Sequence, residues 1–293
     1  MSNPETLHVA VAQIESVPGD LDANLRKHLD LIDAARAAGA GVLLFPELSL
    51  TGHCAGPDAL RLAIGRGDPR VLQLARAAGP MSTVFGVIEE APAAQFYNSA
   101  FVVRDGALAH VHRKINLATY GRLDDGKHFG GGAQVETLSI AAGWRASVLI
   151  CADTWNPALV HLAALQGSTL LLVPVSSGLE AVGAEFDNPA GWDTNLRFHA
   201  LTYGMPVMMA NRVGTEDGLT FWGGSRILDP FGRVVAGPAG TAETLLRAQL
   251  DFDDVRRARF LLPTVRDANT ALVLRELERV QRAAHSTQPP PRS

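Results

Sequence analysis

Short apolar runs, each too brief to cross a bilayer, alternate along this chain with helical segments and constrain its fold more than any other feature. Leu7–Ile14, Gly41–Phe45, Thr83–Glu89, Ala146–Ile150, Thr169–Val175 and Val207–Asn211 all read as buried strands. Between them, Leu21–Ala38 repeats its apolar residues (Leu25, Leu29, Ile32, Ala35) at three-to-four spacing. Pro69–Ala78, Pro157–Gln166 and Asn195–Tyr203 also read as helices. Two hairpins interrupt this order, one about Asp105-Gly106 and one about Pro230-Phe231-Gly232. Leu245–Asp251 closes the sheet system. The strands lack strict polar alternation, as expected of sheets covered on both faces. The pattern predicts an α/β layered chain with mixed sheets.

Of the 293 residues, 47% are hydrophobic and 19% charged, enough apolar material for one sizeable core. We expect a single domain over residues 1–285, with a disordered tail at 286–293 that lacks apolar residues. A last helix, Thr270–Ala284, carries Leu272, Leu274 and Leu277 and has its own domain or a second subunit as possible docking partners. A net charge of -4 with scattered basic residues excludes a phosphate-tracking surface, so no nucleic-acid partner is expected. No signal peptide or membrane span is read, and two cysteines do not make a disulfide framework; the expected location is the cytoplasm.

Three residues at strand ends carry possible chemistry. Cys151 follows Val148-Leu149-Ile150 and precedes a helix, where a helix start would favour its thiolate. Glu47 follows Leu44-Phe45-Pro46, and Lys114 ends the strand after His112-Arg113. Taken singly, each has an ordinary reading: a small core residue, a turn carboxylate, a solvated lysine. Together they supply a nucleophile, a base and an oxyanion-stabilising cation at one sheet edge. His110 and His112 lack a third ligand at metal spacing, so no metal or cofactor is expected. Gly130-Gly131-Gly132 reads as a turn, Cys54 beside His53 as structural, and Trp155, Trp192 and Trp222 as either core or pocket.

Phe45-Pro46-Glu47-Leu48, His112-Arg113-Lys114 and Leu149-Ile150-Cys151-Ala152-Asp153 resemble the three signature blocks of the nitrilase (carbon–nitrogen hydrolase) superfamily. Asn211-Arg212-Val213-Gly214, Gly223-Gly224-Ser225 and Asp229-Pro230-Phe231-Gly232-Arg233 extend the likeness, which runs from about Leu7 to Arg259. The resemblance implies a four-layer α-β-β-α sandwich with two mixed β-sheets, commonly paired through helical faces, and hence a homodimer or higher homo-oligomer. It implies Glu47 as general base, Lys114 as oxyanion stabiliser, Cys151 as nucleophile and the Ala152 N–H as a second oxyanion donor.

A further block, Tyr120-Gly121-Arg122-Leu123-Asp124-Asp125, resembles one in which amidase-type members carry a second glutamate. That place falls on Asp125, with Asp124 as the alternative, and one methylene is missing either way. Tyr120, Trp155, Ser176 and Ser177 are the expected pocket residues. Cys151-Ala152-Asp153-Thr154-Trp155 is closer to the glutaminase-type pattern than to that of true nitrilases, although Ala152 departs from both. The expected activity is a stand-alone, cysteine-dependent amidohydrolase acting on a small amide through a thioester. A nitrilase and a catalytically silent ligand-binding member are the alternatives.

Overall fold

In a computed structural model, residues 6–286 are described. The first half of the chain forms β1 (Leu7–Gln13), α1 (Leu21–Ala37), β2 (Val42–Leu44), the short α2 (Ala59–Leu62), α3 (Pro69–Ala78), β3 (Ser82–Ala91), β4 (Gln95–Arg104), β5 (Ala107–Arg113) and α4 (Asp125–His128). The second half forms β6 (Leu138–Ala141), β7 (Trp144–Val148), α5 (Pro157–Leu165), β8 (Leu170–Val175), α6 (Asn188–Tyr203) and β9 (Val207–Asn211). Then come β10 (Val213–Glu216), β11 (Leu219–Trp222), β12 (Arg226–Leu228), β13 (Val234–Ala236), β14 (Thr244–Leu250), α7 (Phe252–Leu261) and α8 (Thr270–Ser286).

Two six-stranded sheets result, ordered β14-β1-β2-β3-β4-β5 and β13-β12-β9-β8-β7-β6. In each, three central strands run parallel and the outer ones antiparallel. The two-residue period of a strand sorts the side chains into layers. Val9, Val11 and Leu44 of one sheet meet Val148, Leu170 and Leu172 of the other in a central core. Ala10, Ala12 and Leu43 point outward onto Ile32 of α1 and Leu74 of α3. Leu171 and Val173 point outward onto Val160 of α5 and Leu196 of α6. This is the expected four-layer α-β-β-α sandwich, and both faces of each sheet are covered.

Several boundaries depart from the sequence expectation. α6 begins at Asn188 rather than Asn195, because Asp187 accepts from the Ala190 N–H and Pro189 sits in the first turn. The strand leading into the Asp105-Gly106 hairpin, β4, starts as early as Gln95, since its first residues pair with the long tail of β3. α8 ends at Ser286, so the expected tail loses that residue to the helix, and its remainder lies outside the described residues. Leu272, Leu274 and Leu277 of α8 are exposed, so the helix does not dock on its own domain. Among the described residues, no helix is long and apolar enough to cross a membrane.

The turn after β2 is held by a buried polar relay. His28 of α1 stacks on Phe45 with ring centroids 4.1 Å apart. Its Nδ1 donates to the Asn24 carbonyl at 2.7 Å, so Nε2 accepts from the Ser49 hydroxyl at 2.9 Å. Ser49 Oγ in turn accepts from the Gly86 N–H. Burial lowers the His28 pKa to about 4. The native state therefore binds fewer protons than the unfolded chain below the ordinary histidine value. The stability this group contributes is fully present above about pH 6.5 and is lost as pH falls through about 4. Between pH 7 and pH 5 we expect about 2 kcal/mol of stability to disappear from this group. Urea unfolding at the two pH values checks it. A His28→Gln variant should lose that share of the slope, and identical slopes would refute the assignment.

Candidate active site

Glu47, Lys114 and Cys151 each follow a strand: β2, β5 and β7 respectively. The two sheets face each other, so these ends converge. Lys114 is 2% exposed, and its Nζ donates to Glu47 Oε1 at 2.6 Å and to Asp125 Oδ2 at 2.6 Å. Glu47 Oε1 also accepts from Asn98 Nδ2 at 2.8 Å, while Oε2 accepts from the Ser176 N–H at 2.9 Å. Ser176 and Cys151 line the same cavity.

The local backbone explains the placement. Leu48 has φ of 50°, and the turn it makes lies against Gly86 of β3. A Cβ at Gly86 would stand 2.0 Å from the Leu48 nitrogen and 2.7 Å from the Glu47 carbonyl carbon, so only glycine allows this approach. Cys151 itself has φ of 46°. A non-glycine residue in that region costs on the order of 1–3 kcal/mol and persists only where its surroundings enforce it.

Asp153 supplies that enforcement, a role for which the sequence alone did not single it out. It is fully buried; its Oδ2 accepts from the Ile150 N–H at 3.0 Å and pairs with His112 Nε2 at 2.9 Å. Its Oδ1 accepts from the N–H groups of Ile115 and Asn116 at 2.9 and 2.7 Å. One carboxylate therefore ties the turn carrying Cys151 to the segment directly after Lys114. The pairing of His112 is the ordinary role expected of it; the signal for Asp153 lay only in its adjacency to the cysteine block.

The electrostatics correct one expectation. A helix start was expected to favour the thiolate, but only a 3-10 turn, Cys151–Trp155, follows the nucleophile. Burial pushes the Cys151 thiol well up, Glu47 adds to the rise, and Lys114 opposes it without prevailing. The resting group is a neutral thiol that needs a base. Burial pulls the Lys114 ammonium down, yet Glu47 and Asp125 outweigh it and hold the amine well above its ordinary range. Lys114 is a fixed cation.

Asp125 opens α4 and reaches the lysine despite its shorter side chain. Its N–H donates to the Ala118 carbonyl, and its Oδ2 accepts from the Ala118 N–H at 3.3 Å. The Ala118 backbone thus holds Asp125 through both its N–H and its carbonyl. Asp124 instead faces His128 at 3.3 Å and takes no part in the cluster. Cys54 lies outside the lining of the cavity over Cys151, and burial and Glu216 push its thiol up to about 12. His53, whose Nδ1 is buried without a partner, lies within the field of Glu47 and Asp125, and burial lowers its pKa.

Above the thiol lies a cavity of about 310 Å³, lined by Tyr120, Trp155, Ser176 and Ser177 as expected, and also by Phe186 and Trp192. Trp222 is not part of this lining and packs beside the core between the second sheet and α6. Burial raises the Tyr120 phenol to about 12, so it stays protonated. A second groove of about 430 Å³ around His110, Arg113 and Glu136 contains none of these groups. Among the described residues, no group of three or more histidine, cysteine, aspartate or glutamate side chains is placed to hold a metal ion.

Residues 8–260 match the family model described as carbon–nitrogen hydrolase. The chain belongs to the carbon–nitrogen hydrolase family. This carbon–nitrogen hydrolase is 31% identical over 268 residues to a glutamine-dependent NAD(+) synthetase of Thermotoga maritima, covering 90% of the chain but 45% of that relative. The chain thus spans about half the length of that relative. It is also 31% identical to an aliphatic nitrilase of Sinorhizobium fredii, over 86% of this chain and 88% of that one. Its fold superposes on an amidase from Nesterenkonia sp. with a TM-score of 0.75 and 25% identity, covering 87% of this chain and 94% of that one.

Proposed function

We propose that the protein is an amidohydrolase that cleaves a small non-peptide amide through a cysteine thioester. One observation carries the reading: a buried ammonium is shared by two carboxylates, and the base among them accepts from the N–H of Ser176, which lines the same cavity as the Cys151 thiol. Glu47 Oε1 already takes two donors, whereas Oε2 takes one and faces the Ser176 N–H, so Oε2 is the atom that receives the proton. The Cys151 S–H proton moves to Glu47 as sulfur bonds to the amide carbon. Lys114 and the Ala152 N–H stabilise the oxyanion. Glu47 returns the proton to the departing nitrogen as the C–N bond breaks, leaving a thioester and ammonia or an amine. A water then gives its proton to Glu47 and its oxygen to the carbonyl. The C–S bond breaks, sulfur regains a proton, and the acid leaves. Asp125 holds Lys114 in place through these steps.

Support also comes from the Nesterenkonia amidase, which in one structure carries the acetamide moiety of fluoroacetamide on its active-site cysteine. The Sinorhizobium relative favours a second reading, hydrolysis of a nitrile. Matched amide and nitrile pairs, with ammonia release quantified, separate the two. We expect kcat/KM for the amide to exceed that for its nitrile by at least tenfold, and the reverse order would replace the amidase reading.

A further inference from the structure

The cavity over Cys151 has no acidic or basic side chain in its lining. Its outer wall is aromatic and interlocked: the Trp155 ring meets Phe186 at 5.8 Å and Trp192 at 5.2 Å, both edge to face. Gly191 of α6 makes room for this wall. A Cβ there would lie 2.7 Å from Phe186 Cζ and 3.2 Å from the Trp155 ring. Leu123 and Val182 complete an apolar surface.

Three polar groups of the same cavity are committed to hydrogen bonds within the protein. Asn188 Nδ2 donates to Ser177 Oγ and to the Gly178 carbonyl, each at 2.7 Å. Trp192 Nε1 donates to the same Ser177 Oγ at 3.1 Å. Ser176 Oγ, buried without a partner beside the reacting atoms, is open to a ligand. An ionic group carried at the far end of a substrate would lose its hydration here and meet no counter-ion. A carboxylate would also approach a cluster holding two carboxyl groups for one amine.

We infer, resting on the amidase reading, that the substrate is an amide with an uncharged, apolar acyl chain, linear or arylalkyl. Amides bearing a distal carboxylate are selected against. Counting roughly 30 Å³ per water-sized unit, the cavity takes about ten non-hydrogen atoms, three of which are the amide group itself. An acyl chain of hexanamide or phenylacetamide size fills it.

The test pairs turnover with binding. With the full chain, kcat/KM should rise about fourfold per methylene from acetamide to hexanamide, and hexanamide should exceed glutaramate by about 100-fold or more. Calorimetry on Cys151→Ala should show hexanamide binding at least tenfold more tightly than glutaramate. A Val182→Lys variant places a cation on the cavity wall and should raise the glutaramate-to-hexanamide ratio of kcat/KM at least tenfold. If glutaramate is hydrolysed as well as hexanamide, or binds as tightly, or if hexanamide does not bind, the inference is overturned while the amidase reading stands on its own turnover data. If hexanamide binds as expected but no amide is hydrolysed, the amidase reading fails and the apolar selection survives.

Discussion

Replacing Cys151 with alanine is expected to lower kcat by about 10⁴-fold or more while the protein remains folded. Covalent catalysis divides one difficult displacement into two easier ones, and the other thiol, Cys54, lines a different cavity. Cys54 is pushed up to about 12, mainly by burial and then by Glu216, and its backbone N–H is engaged by the Glu216 carboxylate. The backbone at residue 151 is held at its positive φ by contacts that do not involve sulfur, chiefly those of Asp153 with Ile150, Ile115 and Asn116. Stability should therefore change by no more than about 1 kcal/mol. Steady-state ammonia release together with denaturant unfolding checks both halves. Full activity in the folded variant would remove Cys151 from the mechanism.

Lys114→Met is expected to damage stability and activity together. It keeps the length and apolar stem of the side chain but removes the cation between Glu47 and Asp125. Breaking a buried ion pair from one side costs about 3–5 kcal/mol, because the partner charge is left unsatisfied. Here two carboxyl groups are left. Each would then be harder to ionise in the native state than in the unfolded chain, so the native state binds more protons. Stability in the variant is therefore best below the ordinary carboxylate range and is lost as pH rises above it. The deficit relative to the parent protein should be larger at pH 8 than at pH 5. Activity should fall at least about 10²–10³-fold through the lost oxyanion donor alone. Adding Glu47→Gln and Asp125→Asn to Lys114→Met should restore stability and leave activity absent. If Lys114→Met is no less stable than the parent across this range, the shared-cation description is wrong.

Much of the layered fold was readable because strand periodicity sets it. Val9 and Val11 alternate with Ala10 and Ala12, and the two sets simply enter different cores. Glu47 and Cys151 were visible for the same reason, since each follows an apolar run, and Lys114 because it closes the strand after Asp105-Gly106. Other features depend on tertiary approach. The placement of Asp125 depends on the Ala118 loop, whose N–H and carbonyl both bond to it. The state of the Cys151 thiol is decided by burial and by Glu47, neither of which sequence adjacency reports. Gly191 concealed the first turn of α6, because glycine is a poor helix residue; its reason is the Phe186 and Trp155 rings packed over it. The same rings give the cavity its apolar wall.

Intact-mass spectrometry of acid-quenched protein, sampled during steady turnover of an amide, tests the central claim most directly. The mechanism predicts a protein species heavier by the acyl group, with the added mass mapping to the peptide containing Cys151. Cys151→Ala should show neither the adduct nor turnover. Steady hydrolysis with no acyl group on Cys151, and with the alanine variant equally active, would contradict it.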